Sequence, residues 1–443
     1  MPIDRRRFIT GALTGVVVLE APLSAYGLDA VPLGVRPGAA EDQSRPLLRA
    51  LEQASRTRAP LMLAPGAYRV GDIKLPDGAQ LFGVRGATRL LMTRGPSLLS
   101  AEGGNNITIS GLTLDGGEQP LPQRSGLVRV VGTKGLHISD CIFEGSGGNG
   151  IALEGCEGLI TGNTIVGAAD NAVFCINNAG LVITANSIRR SGNGGIRIWQ
   201  SAKRHDGSLV ADNTIEDTAA RAGGTGENGN AINVFRAADV TVRNNTIRRA
   251  AFSAVRGNGA SNIQIIGNNC AALVECAMYA EFDFEGAVIA NNVIDGAENG
   301  IAVTNFDNGG RLGTVHGNLL RNINQRRPNT PPEWSGVGIS IEADTAVTGN
   351  VVENTIFAGI RVGWGPYLRD VTVGGNIVRN AGYGIAVSVV PGAGTAAISG
   401  NIISGARLGS IVGMEWAKSV TGDLSKEGAE RFPQLTVANN QTR

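Results

Sequence analysis

The phrases Asn163-Thr-Ile165, Asn186-Ser-Ile188 and Asn213-Thr-Ile215 decide the fold, because one short pattern returns at a nearly constant interval. From residue 140 onward, successive copies are 23 to 32 residues apart. The later copies are Asn245-Thr-Ile247, Asn292-Val-Ile294, Asn318-Leu-Leu320, Asn350-Val-Val352, Asn376-Ile-Val378 and Asn401-Ile-Ile403. We place Asn269 in the missing slot and Asp140-Cys-Ile142 one repeat before the first copy. A period kept over most of the chain predicts a single solenoid domain, which grows by adding coils.

A second phrase keeps the same interval about ten residues downstream of the first. Its copies alternate an apolar residue with a variable one: Gly150-Ile-Ala-Leu153, Gly195-Ile-Arg-Ile198, Ala231-Ile-Asn-Val234, Gly300-Ile-Ala-Val303, Gly338-Ile-Ser-Ile341, Gly359-Ile-Arg-Val362 and Gly384-Ile-Ala-Val387. A period of two residues is typical of a strand with one buried face. The coils are therefore predicted to be built from strands.

The recurring asparagine predicts a tight corner between two strands of each coil. Asparagine tolerates positive φ better than most residues, and stacked asparagine amides can hydrogen-bond to their copies above and below. Leucine-rich repeats would need a Leu-x-x-Leu-x-Leu phrase, which we do not find. Propeller blades would need about 40 residues and four strands each.

The N-terminus has the layout of an export signal. Arg5, Arg6 and Arg7 precede Phe8-Ile9, a weakly apolar stretch follows, and small residues suited to cleavage come last. The Arg-Arg-x-Phe-Ile core resembles the signal of the twin-arginine pathway, with Arg5, Arg6 and Phe8 as its recognition residues. We expect cleavage after Gly27, export by the twin-arginine machinery, and a periplasmic or secreted mature chain.

The regular coils, the asparagine corners and the Gly-Ile-x-Val strands resemble the right-handed parallel β-helix of the pectate-lyase-like superfamily, over residues 33–440. With the signal, the chain resembles twin-arginine-translocated repeat proteins of unknown function. The resemblance implies an all-β, right-handed, single-stranded parallel β-helix of about a dozen coils. Residues 1–27 are expected to form the signal, 28–100 an N-terminal cap and first coils, 101–404 the repeats, and 405–443 a closing segment. In this segment, Ser44 is predicted to be the N-cap of a helix.

Composition excludes several function classes. The whole chain carries a net charge of +1, and removing the signal takes this to about zero, whereas nucleic-acid binding needs a strongly basic face. Outside the signal, no apolar run reaches the length of a membrane helix. The five cysteines have no metal-ligand spacing and are expected as buried thiols, with a Cys270–Cys276 disulfide as the alternative. We expect no cofactor and no metal.

The outward positions of the Gly-Ile-x-Val strands predict two columns of side chains on stacked coils. The first column reads Ala152, Phe174, Arg197, Asn233, Arg256, Tyr279, Ala302, Ser340, Arg361 and Ala386; the second reads Glu154, Ile176, Trp199, Phe235, Asn258, Glu281, Thr304, Glu342, Gly363 and Ser388. The expected substrate-binding residues are Arg197, Trp199, Asn233, Phe235 and Asn258. Aromatic rings can pack on sugars, and arginine forks can hold the carboxylates of an acidic polysaccharide. The pectate-lyase-like resemblance implies a substrate groove on this face.

Insertions in two of the longer coils fall beside this face. Residues 217–229 and 322–335 are expected to form one wall of the groove, and residues 203–205 the opposite lip.

The expected acid–base residues are Glu281 and Asp283, with Tyr279 and Arg256 on adjacent coils. Glu281, Asp283 and Glu285 are two residues apart in sequence, so in an extended strand their carboxylates would lie on the same side. A second candidate cluster is Glu342 and Asp344 with Arg361 and Trp364.

The sequence leaves open whether the chain is an enzyme that cleaves or epimerises an acidic envelope polysaccharide. The alternative is a non-catalytic glycan-binding or protein-interaction scaffold. Neither the Asp-Pro-His-Asp motif of alginate epimerases nor the Gly-His-Gly motif of polygalacturonases is present. A metal-delivery protein is a third class, but the sequence has no histidine or methionine cluster.

Overall fold

The computed structural model describes residues 27–224, 226–324, 327 and 330–443. The expected signal residues Arg5, Arg6 and Phe8 lie outside this range. Within it, the chain forms a right-handed parallel β-helix of about 14 turns with three sheets, which confirms the predicted fold. Each coil runs from sheet 1 to sheet 2 to sheet 3 before the next coil begins.

The first two sheets flank the asparagine corner. Sheet 1 contains the strands that precede this corner: Leu28–Asp29, Leu61–Met62, Gln80–Phe82, Thr108–Ser110, Leu136–Ser139, Gly158–Thr161, Val182–Thr184, Leu209–Ala211, Thr241–Arg243, Ile263–Ile266, Glu285–Ala290, Arg311–His316, Thr345–Thr348, Val371–Gly374, Ala396–Ser399 and Leu435–Ala438. Sheet 2 contains the strands that follow it: Gly66–Val70, Thr88–Met92, Thr113–Asp115, Ile142–Glu144, Thr164–Val166, Ser187–Arg189, Thr214–Glu216, Thr246–Arg248, Asn269–Ala271, Val293–Asp295, Leu319–Ile323, Val351–Thr355, Ile377–Arg379, Ile402–Ser404 and Gln441–Thr442.

Sheet 3 carries the Gly-Ile-x-Val phrases. Its strands are Ile73–Lys74, Leu99–Glu102, Gly126–Val131, Asn149–Glu154, Asn171–Ile176, Gly194–His205, Asn230–Ala238, Val255–Asn258, Cys276–Glu281, Asn299–Val303, Val337–Ile341, Ala358–Val362, Tyr383–Ser388, Gly409–Glu415 and Lys418–Asp423. The last two form an antiparallel hairpin, whereas every other pairing between the described strands is parallel. Inward residues such as Ile196, Ile232 and Ile339 are fully buried, as the alternation predicts.

The predicted ladder of stacked asparagines forms, but at two positions the ladder residue differs by one from the prediction. The amide of each member donates to the side-chain oxygen of the next at 2.9 to 3.0 Å, through Asn163, Asn186, Asn213, Asn245, Asn268, Asn292, Asn318, Asn350, Asn376, Asn401 and Asn440. The missing slot belongs to Asn268, because Asn269 already starts the sheet 2 strand. One repeat earlier, Cys141 holds the slot instead of Asp140.

The positive φ at this corner belongs to the residue before each ladder asparagine. Ala185, Asp212, Asn244 and Asn291 have φ of 56 to 57°, and glycine fills the same place at Gly162. The ladder asparagine has a different role: its side-chain amide forms hydrogen bonds with neighbouring coils and so pairs the buried polar groups of the corner.

A helix covers the N-terminal end of the solenoid. The helix Ser44–Thr57 packs Leu47, Leu51 and Ala54 into the first coils. Gln43, rather than Ser44, is at the N-cap, and the Ser44 hydroxyl accepts the Gly71 N–H at 3.0 Å. Short 3₁₀ helices occur at Phe306–Asn308, Pro332–Trp334 and Ala429–Arg431.

The five cysteines are buried and free, so the Cys270–Cys276 disulfide does not form. Cys270 lies on sheet 2 and Cys276 on sheet 3. No helix in the described part of the chain is long and apolar enough to cross a membrane.

Candidate functional site

The outward columns of sheet 3 have the register that the sequence predicts. Arg197 pairs with Asn233, Asn233 with Arg256, Arg256 with Tyr279, and Tyr279 with Ala302. The first column continues through Ser340 and Arg361. In the second column, Trp199, Phe235, Asn258 and Glu281 stack in order. Parallel stacking therefore brings together side chains that are far apart in sequence.

Part of this face is covered rather than open. The first insertion was expected to form a wall, but Gly226 and Asn228 within it lie across the column. The Asn228 side-chain oxygen accepts a hydrogen bond from Arg197, and the Gly226 carbonyl accepts the Asn233 amide at 3.0 Å. Arg197 and Asn233 are consequently buried, although their side chains point away from the core.

Arg256 is already paired within the protein. It lies between Glu281, at 2.6 Å, and Glu275, at 3.2 Å. Arg327 adds a second cation to this cluster, contacting Glu275 at 3.1 Å and the fully buried Glu298 at 2.8 Å. Since two carboxylates already contact Arg256, we infer that Arg256 positions Glu281 and is not a receptor for a ligand carboxylate.

The expected row of alternating carboxylates does not form. The sheet 3 strand ends at Glu281, and Phe282 has a φ of 53°, which turns the chain before the next strand begins at Glu285. Asp283 forms an ion pair with Lys203, and Glu285 with Arg311. Of these three carboxylates, only that of Glu281 belongs to the outer face of sheet 3.

A pocket of about 250 Å³ opens on sheet 3 next to this cluster. Ala302 lies between Tyr279 and Ser340 in the first column, and its small side chain leaves the space that becomes the pocket. The other lining residues are Cys276, Glu281, Phe282, Asn299, Ile301, Thr304, Asn305, Trp334, Val337, Glu342, Arg361 and Trp364. Trp334 comes from the second insertion and forms part of the pocket wall.

Glu342 is a buried carboxyl group in this pocket. It accepts the Phe306 backbone N–H at 2.7 Å. Burial raises the pKa of Glu342 to about 7, although the Phe306 N–H and the charge of Arg361 act in the opposite direction. A carboxyl group with this pKa can accept or donate a proton near neutral pH.

Arg361 supplies the pocket with positive charge. Its Nε donates to the Ser340 hydroxyl at 3.0 Å, its Nη1 donates to the Glu333 carbonyl at 3.3 Å, and it lies over the Trp364 ring at 5.1 Å. Among the described residues, no carboxylate lies within 4.0 Å of this guanidinium.

Tyr279 and Glu281 line the opposite end of the pocket. Burial raises the pKa of both groups, so Tyr279 keeps its proton at neutral pH. Asp344 does not belong to this site, because it pairs with Arg369 at 2.6 Å and Arg311 at 3.4 Å beside sheet 1. The second sequence cluster is therefore assembled only in part.

The aromatic residues Trp199 and Phe235 lie near a separate pocket of about 340 Å³, together with Asn233 and Asn258. The ring centroids of Trp199 and Phe235 are 5.6 Å apart. The structure thus divides the predicted binding residues: Arg197 is covered, whereas Trp199 and Phe235 remain partly accessible.

Two family models match the sequence. Residues 77–230 match the model described as periplasmic copper-binding protein (NosD), and residues 204–376 match the model described as right handed beta helix region. Comparison with the curated proteins finds no match.

The donor chemistry of the chain does not fit a copper site. No group of three or more His, Cys, Asp or Glu residues in the described ranges could hold a metal ion. In the segment matched by the copper-binding model, Cys141, Cys156 and Cys175 are fully buried, and His205 contacts Asp239.

Solved structures with the same fold are distant in sequence. The N-terminal fragment of gene product 12 from bacteriophage phi29 is 15% identical, with a TM-score of 0.54, over 88% of this chain and 69% of that chain. The catalytic unit of the GH87 alpha-1,3-glucanase from Streptomyces thermodiastaticus is 14% identical, with a TM-score of 0.50, over 94% and 69% respectively. The three stacked sheets, the match to the right handed beta helix region model and these likenesses all agree on the right-handed parallel β-helix fold.

Proposed function

We propose that this chain is exported by the twin-arginine pathway and acts on an acidic polysaccharide, which it binds in the pocket between Tyr279 and Arg361. The reaction begins with removal of the proton from C5 of a uronate unit, next to its carboxylate. Elimination then cleaves the chain, whereas return of a proton to the opposite face epimerises the sugar. The observation that carries the proposal is Glu342, a buried carboxyl group beside an arginine that no described carboxylate pairs.

Arg361 holds the uronate carboxylate in this proposal. A guanidinium stabilises the negative charge that builds up on this carboxylate as the C5 proton leaves. The carboxylate-binding role that the sequence suggested for Arg197 moves to Arg361, because Arg197 is covered by Asn228. Arg256 cannot take this role, since it is paired with Glu275 and Glu281.

Glu342 is the base and Tyr279 the acid. The C5–H electrons form a C4–C5 double bond while the bond from C4 to the glycosidic oxygen breaks, and that oxygen takes a proton from Tyr279. For epimerisation, the carbanion formed at C5 instead takes the Tyr279 proton on the face opposite Glu342. Glu281 shapes the pocket through its contacts with Arg256 and Asn258, and Asp283 lies outside the reaction.

The fold supports this proposal without specifying the substrate. The alpha-1,3-glucanase described above shows that the same architecture occurs in a polysaccharide-acting enzyme. Elongated sugars also match the flat outer face of stacked strands, on which the pocket lies.

Incubation in D2O tests the reaction. Oligogalacturonides and oligomannuronates are mixed separately with the mature wild-type protein and with Glu342→Gln. Wild type should produce unsaturated chain ends or deuterium at C5, and the variant should lose both by at least about a hundredfold while still binding. Unchanged turnover in the variant would remove Glu342 from the mechanism.

A non-catalytic glycan-binding scaffold is the second candidate. It is favoured by the partly accessible Trp199 and Phe235, which line a pocket of their own away from Glu342. Binding without any product in D2O, lost in Trp199→Ala but kept in Arg361→Ala, would support this alternative.

A further inference from the structure

We propose that Trp334, Trp364 and Trp416 form a tryptophan track along which a polysaccharide chain continues from the pocket toward the C-terminal hairpin. The track adds a binding site for further sugar units of the same ligand, so the protein recognises an oligomer rather than one sugar. This inference rests on the proposed function, because the track begins at the proposed pocket.

The three indole rings are in contact in series. Trp334 and Trp364 line the pocket, with ring centroids 5.9 Å apart. Trp416 lies outside the pocket and contacts Trp364 with a centroid distance of 5.6 Å. The two steps together match the length of about a disaccharide. A glycan leaving the pocket on this side therefore meets an aromatic ring at each step.

The two outer rings are exposed to solvent. Trp334 is 59% and Trp416 is 48% exposed, although both are large apolar residues. A contiguous aromatic surface beside a polar pocket marks a binding site more often than a single exposed apolar residue does. Indole faces suit the C–H faces of sugars.

Local backbone geometry holds Trp416 in place. It occupies the tip of the hairpin between Glu415 and Lys418 with a φ of 55°, a conformation that bulky residues rarely adopt. Its ring packs on Gly365, where a Cβ atom would lie 2.3 Å from the ring. Tyr367 contacts the ring at a centroid distance of 6.4 Å. The neighbouring residues thus leave room for a large ring at this position.

Ligand length is the variable that tests the track. Oligogalacturonides and oligomannuronates of two and six units, with cellohexaose as a neutral probe, are titrated against the full mature chain. Wild type should bind the hexamer of its preferred series more tightly than the dimer. Trp416→Ala should weaken the hexamer about three- to tenfold and leave the dimer unchanged, since one aromatic contact is lost. Trp416→Tyr should restore part of the affinity.

Val420→Ala is the matched control, because Val420 is an exposed apolar residue on the other strand of the same hairpin. It should change neither affinity. If Trp416→Ala has no effect on the hexamer while Arg361→Ala weakens both lengths, the pocket stands and the track is wrong. If Trp416→Ala weakens the hexamer while Arg361→Ala has no effect, the track stands and the proposed pocket is wrong. Failure of all three hexamers to bind wild type would overturn both.

Discussion

Arg256 donates from Nε and Nη2 to both carboxylate oxygens of Glu281, at 2.6 and 3.1 Å, and this paired contact is buried on the outer face of sheet 3. Arg256→Ala would leave Glu281 and Glu275 buried without their shared cation. Breaking a buried ion pair from one side typically costs about 3–5 kcal/mol. We therefore expect a large fall in the free energy of unfolding, measured by urea denaturation.

Arg189→Ala is the control for this substitution. Arg189 is an exposed arginine whose ion pair with Glu216 spans 3.6 Å. Exposed pairs contribute little, so this change should stay within about 0.5 kcal/mol of wild type. Equal losses in the two variants would contradict the structural role assigned to Arg256.

Glu342→Gln should change how stability depends on pH. Burial raises the pKa of Glu342 from 4.5 to about 7. Between these values the unfolded chain releases the proton while the folded chain retains it, so the wild type loses stability as pH rises through this window. The variant lacks this group. The difference in free energy of unfolding, variant minus wild type, should therefore be up to about 3 kcal/mol larger at pH 8 than at pH 4. Thermal unfolding across this range measures the difference, and parallel curves would contradict the assignment.

The asparagine ladder should be a major source of stability. Asn292 donates to Ile265 and Asn318 and accepts from the backbone and the side chain of Asn268, all at 2.9 to 3.0 Å. Asn292→Ala leaves several buried polar groups unpaired, each costing about 1–3 kcal/mol. Val293→Ala, one residue later and partly exposed, should cost much less. Similar urea midpoints for the two variants would contradict the ladder's role.

Export is tested at the N-terminus. Replacing Arg5 and Arg6 by Lys keeps the charge but removes the paired arginines that the twin-arginine machinery recognises. The precursor should remain in the cytoplasm, as judged by fractionation and immunoblotting. Normal export of this variant would mean that another pathway carries the chain.

Local patterns predicted the solenoid but not its coverings. Inward Ile232 and outward Asn233 follow from alternation, and parallel stacking then sets the column register. The sequence could not show that Asn228 covers Arg197, because the path of an insertion depends on tertiary contacts. The sequence pattern also predicted that Asp283 lies on the same side of the strand as Glu281, because nothing in that pattern revealed the turn at Phe282.

The pocket could not be predicted from the sequence for a similar reason. Ala302 is one of three alanines in the first column, and the gap beside it becomes visible only when its neighbours Tyr279 and Ser340 are placed on either side. Glu342, Arg361 and Trp364 were recognised as a cluster. The N–H of Phe306 that contacts Glu342 comes from a coil 36 residues earlier and carries no sequence signal.

Titration of one uronate hexamer against Arg361 variants tests the central claim most directly. Removing a charge-assisted contact worth about 1.5–3 kcal/mol in Arg361→Ala should weaken binding about tenfold or more. Arg361→Lys should recover only part, because it keeps the charge but loses the planar fork. The loss should shrink as salt rises, and Arg189→Ala should bind like wild type. Unchanged affinity in Arg361→Ala, with the variant still folded, would contradict the pocket as the site of acidic glycan binding.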